Sequence, residues 1–209
     1  MPVENFQQEL HLPNELLSLI INELASDTAY DDITRAALAS CRLTSRVFCS
    51  LATPVLFSFI ELWEHDASSR EDRIVAFEER MSKLNQIMAN HDIAASIQTL
   101  SLSCESLTNP TLTSAILHHL SRIRNFTLEF DWPLHFYSVT EDFASSIQTL
   151  CRSSTLTTLT LDNILGFPIT VMTAYPNLRR LCLYDIEFCV NPFFSICLHQ
   201  LTLCSSSTI

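Results

Sequence analysis

Residues 97–102 read IQTLSL, and a segment of the same form returns four times further along the chain. The later copies are IRNFTL from residue 123, LTTLTL from 156, LRRLCL from 178 and LHQLTL from 198, so successive copies begin 26, 33, 22 and 20 residues apart. Apolar and polar residues alternate within each copy, which is typical of a β-strand. Repetition of one short strand at such intervals indicates that the chain stacks similar units side by side.

Segments with helical periodicity lie between the repeated strands, as in TSAILHHL at 113–120 and DFASSIQTLC at 142–151. The pentapeptide SIQTL occurs at 96–100 and again at 146–150. Its flanks predict a strand for the first copy and a helix for the second, because Phe143, Ile147 and Leu150 recur every three or four residues. A strand with a helical return in units of about 20–29 residues is the signature of leucine-rich repeats.

Three short helices are predicted before the repeats. The first covers residues 13–25, where Leu16, Ile20 and Leu24 recur every four residues. The second begins at Asp31 or Asp32, and the third near Thr44 or Ser45, with a disturbance at Pro54. A strand at 57–63 and a long helix from Glu71 to Met88 follow. Three helices in about 45 residues are close to the lower limit for an independent core, so their wide apolar surface predicts a further partner.

Composition limits the classes of function that the chain can have. The 209 residues are 47% hydrophobic and 17% charged, which is enough apolar material for a folded core. A formal net charge of −11, with no basic cluster, argues against nucleic-acid binding. We expect no membrane association, because no apolar run is long enough to span a bilayer. Because the first residues show no secretory leader, we expect reduced cysteines and a cytoplasmic and/or nuclear location.

The N-terminal segment resembles an F-box of the type found in large fungal families. The resemblance rests on LPNELLSLIINEL at 12–24 and on LTSRVF at 43–48, which stands where the family has an LVCKRW-like element. Thr44, Ser45 and Phe48 depart from that element. With the repeats that follow, the sequence predicts an α/β chain: an N-terminal three-helix F-box at residues 11–56, followed by an irregular, degenerate leucine-rich-repeat solenoid at 57–209. The last copy lacks the polar cap that repeat arrays usually need, so the array could be short for its family, truncated at its C-terminus or diverged.

The resemblance implies a non-catalytic receptor subunit of a Skp–cullin–F-box ubiquitin ligase. Its N-terminal helices would dock a Skp-family adaptor, and through it a cullin, while the repeats would hold an unknown protein substrate. The adaptor contacts implied by the motif are Leu12, Pro13, Leu16, Ile20, Leu24, Leu43 and Phe48. Several of these side chains could instead pack the three helices together. No cofactor is implied.

Substrate contacts are expected at strand residues that point away from the repeat core. The candidates are Arg124, Thr158, Arg179, Arg180 and Gln200. Arg179 and Arg180 could prefer an acidic or phosphorylated ligand, although solvated surface arginines explain them as well. The Ser and Thr residues around them also fit ordinary cross-strand pairing. Lys83 is the one lysine among 12 basic residues, which would leave a ligase receptor few acceptor amines, but a coding bias toward Arg explains it equally well.

Two other functions fit parts of the sequence. The chain could be a leucine-rich-repeat interaction scaffold with no ligase role, and adaptor binding distinguishes the two. A Cys–His enzyme is the other rival, because the sequence has 8 Cys and 7 His. It has little support, since no HExxH, GxSxG or CxxC motif is present and the single glycine, Gly166, excludes glycine-rich phosphate loops. The sequence therefore predicts neither catalysis nor a metal site.

Overall fold

The computed structural model describes residues 13–26, 32–63, 69–105, 107–169, 171, 177–191 and 194–204. Contacts divide the chain into two compact units, Met1–Leu56 and Phe57–Ile209. We call them the helical unit and the sheet unit, and each is described by itself. No described helix is both long enough and apolar enough to cross a bilayer.

The helical unit contains α1 (Asn14–Ser26), α2 (Asp32–Thr44) and α3 (Arg46–Leu56). Its core is small: Ile21, Leu38 and Ala52 are buried, and five partly buried side chains pack against them. Ser45 alone separates α2 from α3, and its hydroxyl accepts a hydrogen bond of 3.2 Å from the Phe48 amide, which caps the first turn of α3. The helix α3 continues through Pro54, where a disturbance was expected, and ends two residues later at Leu56.

The sheet unit contains seven strands in one sheet. They are β1 (Phe59–Trp63), β2 (Thr99–Cys104), β3 (Asn125–His135), β4 (Thr158–Leu165), β5 (Phe167–Pro168), β6 (Arg180–Asn191) and β7 (Phe194–Cys204). The order β1-β2-β3-β4-β6-β5 is parallel throughout, and β7 pairs with β6 in the antiparallel direction. Because β7 takes one edge of β6, β4 and β5 share the other edge.

Helices make the crossovers that parallel strands need. Between β1 and β2 the chain forms α4 (Arg70–Met88) and α5 (His91–Ser96), and between β2 and β3 it forms α6 (Pro110–His119). A short 3-10 helix (Phe136–Ser138) and α7 (Glu141–Cys151) follow β3. The second SIQTL segment lies in α7 while Thr99 and Leu100 of the first begin β2, which confirms that the flanks decide between helix and strand.

One face of the sheet carries the core. Leu100, Phe126, Leu159 and Leu181 occupy the same position in successive strands and are paired in register. Leu102, Leu128, Leu161 and Leu183 form a second row two residues further along. All eight side chains are buried, in a cluster that also contains Phe77 and Met81 of α4 and Ile147 of α7. The opposite face of the sheet carries the polar residues of the alternation.

The architecture predicted from the sequence is wrong. The chain is α/β, but it is not a three-helix F-box followed by a leucine-rich-repeat solenoid. Six parallel strands form one sheet, with helices in the connections between them, and the seventh strand of the sheet runs in the opposite direction. The fifth sequence copy, LHQLTL, lies in β7. Only residues 192 and 193 separate β6 from β7, which is too short for a parallel crossover but is the length of a hairpin connection.

A buried carboxylate fixes the start of α4 to the ends of two strands. Glu105 follows β2 and is 8% exposed. Its carboxylate lies 2.8 Å from Arg70 Nε and 3.2 Å from Arg73 Nη2, and it accepts a 3.2 Å hydrogen bond from Trp132 Nε1 of β3. Burial acts to raise the pKa of Glu105. The hydrogen bonds from Arg73 and Trp132 and the charges of Arg70 and Arg73 outweigh burial, so the pKa lies below its ordinary value.

Gly166 joins β4 to β5 in a backbone conformation that side chains disfavour. Its φ is +72°, and a Cβ placed on it would stand 2.6 Å from Cε2 of Tyr137. Tyr137 is exposed, so its ring can move aside. The left-handed backbone is therefore the larger constraint on this position.

We expect Gly166→Ala to lower the free energy of unfolding by roughly 1–2 kcal/mol, because an alanine at positive φ brings its Cβ against the following carbonyl. Gly166→Asn is the matched control: it has the same Cβ contact with Tyr137, but asparagine tolerates positive φ better. Urea unfolding of the three proteins measures the difference. Equal midpoints for the alanine variant and the unchanged protein would contradict the assignment.

Candidate functional site

The helical unit exposes large aliphatic side chains on all three of its helices. On α1, Leu17 and Ile21 are buried, whereas Leu16 is 46% exposed and Ile20 is 48% exposed. Leu16 and Ile20 are four residues apart and so share one face of the helix. Leu43, in the last turn of α2, is 89% exposed. We define the apolar surface of the helical unit as Leu16, Leu19, Ile20, Ile33, Leu43 and Val47.

The residues that were predicted to contact an adaptor differ in their exposure to solvent. Pro13, Leu16, Ile20 and Leu43 are exposed. Phe48 is half-buried and packs against the core of the helical unit, so it already has a structural role. Leu12 and the side chain of Leu24 lie outside the described residues.

Three exposed aliphatic residues were missed by the sequence comparison. Leu19, Ile33 and Val47 are exposed but are not among the positions implied by the F-box motif. Leu19 widens the apolar arc of α1, and that width was the signal available in the sequence. Ile33 and Val47 lie in the first turns of α2 and α3, where hydrophobic periodicity gives little information.

The polar face of the sheet consists of three rows of side chains that cross the strands. The first row is Phe59, Thr99, Asn125, Thr158 and Arg180, the second is Glu61, Ser101, Thr127, Thr160 and Cys182, and the third is Trp63, Ser103, Glu129, Asp162 and Tyr184. Asn125 Nδ2 donates a 3.0 Å hydrogen bond to Thr99 Oγ1 across two strands. Neighbouring strands lie about 4.8 Å apart, so each row is a continuous ladder.

Four of the five predicted substrate-binding residues gather at the amino ends of three strands. Thr158 pairs with Arg180. The carbonyl of Arg124 accepts hydrogen bonds of 2.8 Å and 2.9 Å from the amides of Thr157 and Thr158, and the Arg179 amide donates to the Thr157 carbonyl at 2.8 Å. All three arginines are exposed.

The fifth predicted residue lies elsewhere. Gln200 pairs with Tyr184, four residues along β6 from Arg180, which corresponds to about 13 Å of extended chain. The side chain of Gln200 lies outside the described part of the chain. The structure therefore does not join Gln200 to the arginine group.

Acidic residues at the other end of the polar face were not predicted. Glu129 and Asp162 occupy neighbouring positions in β3 and β4. Burial raises the pKa of Glu129, and the charges of Asp162, Glu61 and Asp131 raise it further. Burial also raises the pKa of Asp162, as does the charge of Asp185, although a backbone hydrogen bond at Asn163 opposes the change.

A signal for the acidic residues was present in the sequence. The repeated segments are six residues long as defined above. The residues that directly follow three of them are Glu129, Asp162 and Tyr184. One further step of the same alternation places these side chains on the polar face. Reading the copies as seven residues would have found the acidic end.

The nearest arrangement to a catalytic pair lies between α6 and α7. Ser146 Oγ is 3.1 Å from His118 Nε2 and 2.6 Å from Ser114 Oγ, and it donates a 2.8 Å hydrogen bond to the Asp142 carbonyl. Ser146 is 2% exposed, so a substrate cannot reach its hydroxyl. The cluster satisfies polar groups between two packed helices.

The cysteines and acidic residues also form no recognisable reactive centre in the described segments. Cys104, Cys151 and Cys182 are buried, and Cys41, Cys49 and Cys189 are half-buried. Within residues 13–204, apart from the gaps given above, no three His, Cys, Asp or Glu side chains are placed to hold a metal ion.

Searches for similar proteins found no matching family model and no matching curated protein.

The two raised pKa values predict how stability depends on pH. A carboxyl whose pKa is raised by folding stabilises the protein below its ordinary pKa, near 3.8 for Asp and 4.5 for Glu. That contribution is lost as the pH rises through the folded-state value. We therefore expect Asp162→Asn to raise the free energy of unfolding at pH 7 by roughly 0.2–1 kcal/mol, the range for cross-strand pairs in partly solvated positions.

Urea unfolding at pH 7 and pH 3.5 measures this effect, and the gain from Asp162→Asn should shrink at the lower pH. Glu79→Gln, which removes one exposed carboxylate from α4, serves as the matched control. A destabilised Asp162→Asn variant at pH 7 would show that the carboxylate makes a favourable contact instead.

Proposed function

We propose that this protein is a non-catalytic receptor subunit of a Skp–cullin–F-box ubiquitin ligase. The helical unit docks a Skp-family adaptor in the manner of an F-box, and the adaptor links the chain to a cullin. The polar face of the sheet unit holds the protein substrate. The protein itself makes and breaks no bonds and needs no cofactor.

The apolar surface of the helical unit is the observation that supports this proposal best. Among the described side chains the three helices bury Leu17, Ile21, Leu38 and Ala52, while Leu16, Ile20 and Leu43 face outward. Burying a leucine or isoleucine side chain contributes about 1.5–3 kcal/mol, so an exposed set of this size favours a protein partner. The same residues, Leu16, Ile20 and Leu43, are among the adaptor contacts implied by the F-box resemblance.

The location follows from the proposed activity. A receptor for this class of ligase works in the cytoplasm and/or the nucleus. Cys41, Cys49 and Cys182 form no disulfide, which fits a reducing compartment.

Adaptor binding tests the proposal directly. We expect the intact chain to bind purified Skp-family adaptor, and the Leu16→Asp, Ile20→Asp double variant to bind at least about 30-fold more weakly. One central aliphatic anchor is commonly worth ~2 kcal/mol, which corresponds to that factor. Biolayer interferometry measures the affinities, and circular dichroism establishes that each variant is folded.

Val75→Asp is the matched control, because Val75 is 56% exposed but lies on α4 of the sheet unit. It should bind the adaptor as the unchanged protein does. If the folded, unchanged chain does not bind, the ligase role is refuted and the protein is an interaction scaffold without it. If Val75→Asp weakens binding as much as the double variant, the helical unit is not the docking surface.

A further inference from the structure

The last strand, β7, lies at an edge of the sheet. Among the described strands it pairs with β6 alone, so one of its two sides has no neighbouring strand there. It is 11 residues long, which corresponds to about 37 Å of extended chain. The outer side of a strand presents every second residue's backbone N–H and C=O, and these groups need hydrogen-bond partners.

The direction of the backbone groups of Thr202 follows from the register of the strands. The Arg180 amide donates a 3.0 Å hydrogen bond to the Thr157 carbonyl, which lies on the β4 side of β6. Successive residues of a strand direct their backbone groups to opposite sides, so those of Leu181 point toward β7. Leu181 pairs with Leu203, whose own groups therefore point back toward β6. The N–H and C=O of the neighbouring Thr202 point away from the sheet, and its side chain is exposed.

The sequence of β7 lacks the features that protect strand edges from pairing. Such edges are usually short, charged or interrupted by proline. The edge strand β1 follows this rule, because it has only 5 residues and contains Glu61. β7 is more than twice as long and contains no Asp, Glu, Lys, Arg or Pro. Its outer side therefore favours pairing with a further strand.

A second copy of the same chain fits this edge best. Two identical strands related by a twofold axis run antiparallel, so each outward N–H of one strand meets an outward C=O of the other. A partner selected by charge would need charged residues on β7, and the strand has none. The charged residues of β6 in the two copies would stand three strand spacings, or about 14 Å, apart. Their repulsion is screened, because the screening length at physiological salt is about 8 Å.

We propose that β7 pairs in the antiparallel direction with β7 of a second copy, so that two sheets join into one across a twofold axis. The proposal concerns the sheet unit only and does not depend on the ligase role. A dimer of this kind carries two helical units and two polar faces, and so offers every partner two equivalent surfaces.

Sedimentation velocity of the 209-residue chain tests the proposal, from about 1 to 100 μM because dimer formation depends on concentration. At the upper end we expect a mass twice the 23.7 kDa of one chain. Thr202→Pro removes an outward N–H but no hydrogen bond to β6, so it should weaken the dimer at least about tenfold. Thr202→Val is the matched control: it keeps the N–H and the branched side chain, and its dimer should be as stable as that of the unchanged protein.

Hydrogen exchange of the unchanged protein, followed by NMR, gives a measurement that does not depend on the folding of the proline variant. The Thr202 amide should exchange more slowly at the higher concentration, because the second copy covers it. Circular dichroism establishes that both variants are folded, and if the proline variant is not, the exchange result decides. A chain that stays monomeric, a dimer that leaves the Thr202 amide unprotected, or a mass that grows beyond two copies overturns the proposal.

Discussion

The in-register stacking of one apolar position across parallel strands is the constraint on which the sheet unit depends. Leu100, Phe126, Leu159 and Leu181 meet because each strand pairs with its neighbour without a shift at this position. A slip of one residue in any strand would turn its leucines toward the polar face. Once the register is fixed, α4, α6 and α7 can cover only the leucine face. The polar residues of each strand then form the opposite face of the sheet, where the same register aligns them in rows.

The strands and most helices could be predicted from the sequence, but the direction of the last strand could not. The repeated motif determines which residues pair, so Thr158 beside Arg180 could be anticipated from alignment of the copies alone. Strand direction depends instead on the connection. The segment between Leu183 and Leu198 contains no helical periodicity. The 20-residue interval between the last two copies is that of a leucine-rich repeat, but the two strands are joined by a hairpin. The candidate surfaces were harder still to predict, because the exposure of Leu16 beside buried Leu17 is decided by how three helices pack.

Parallel strands also give the polar face a direction. Their amino ends lie on one side, where Arg180 stands in the first row of the polar face and Arg124 and Arg179 directly precede β3 and β6. Their carboxyl ends lie on the other side, which collects Glu129 and Asp162 from the seventh position. A hydroxyl ladder of Ser and Thr separates the two groups. Opposite charges therefore stand at opposite ends of the strands.

Several nucleophilic side chains of the sheet unit are enclosed. Cys104, Cys151 and Ser146 would be the natural nucleophiles, yet each is enclosed by the leucine core or by packed helices. The helical unit exposes aliphatic side chains such as Leu16 and Ile20, and the sheet unit exposes Trp63, Val75 and Trp132. Exposed aliphatic side chains contribute nothing to the stability of a small domain until they are covered. An adaptor that covers Leu16 and Ile20 would supply the burial that the helical unit cannot supply for itself.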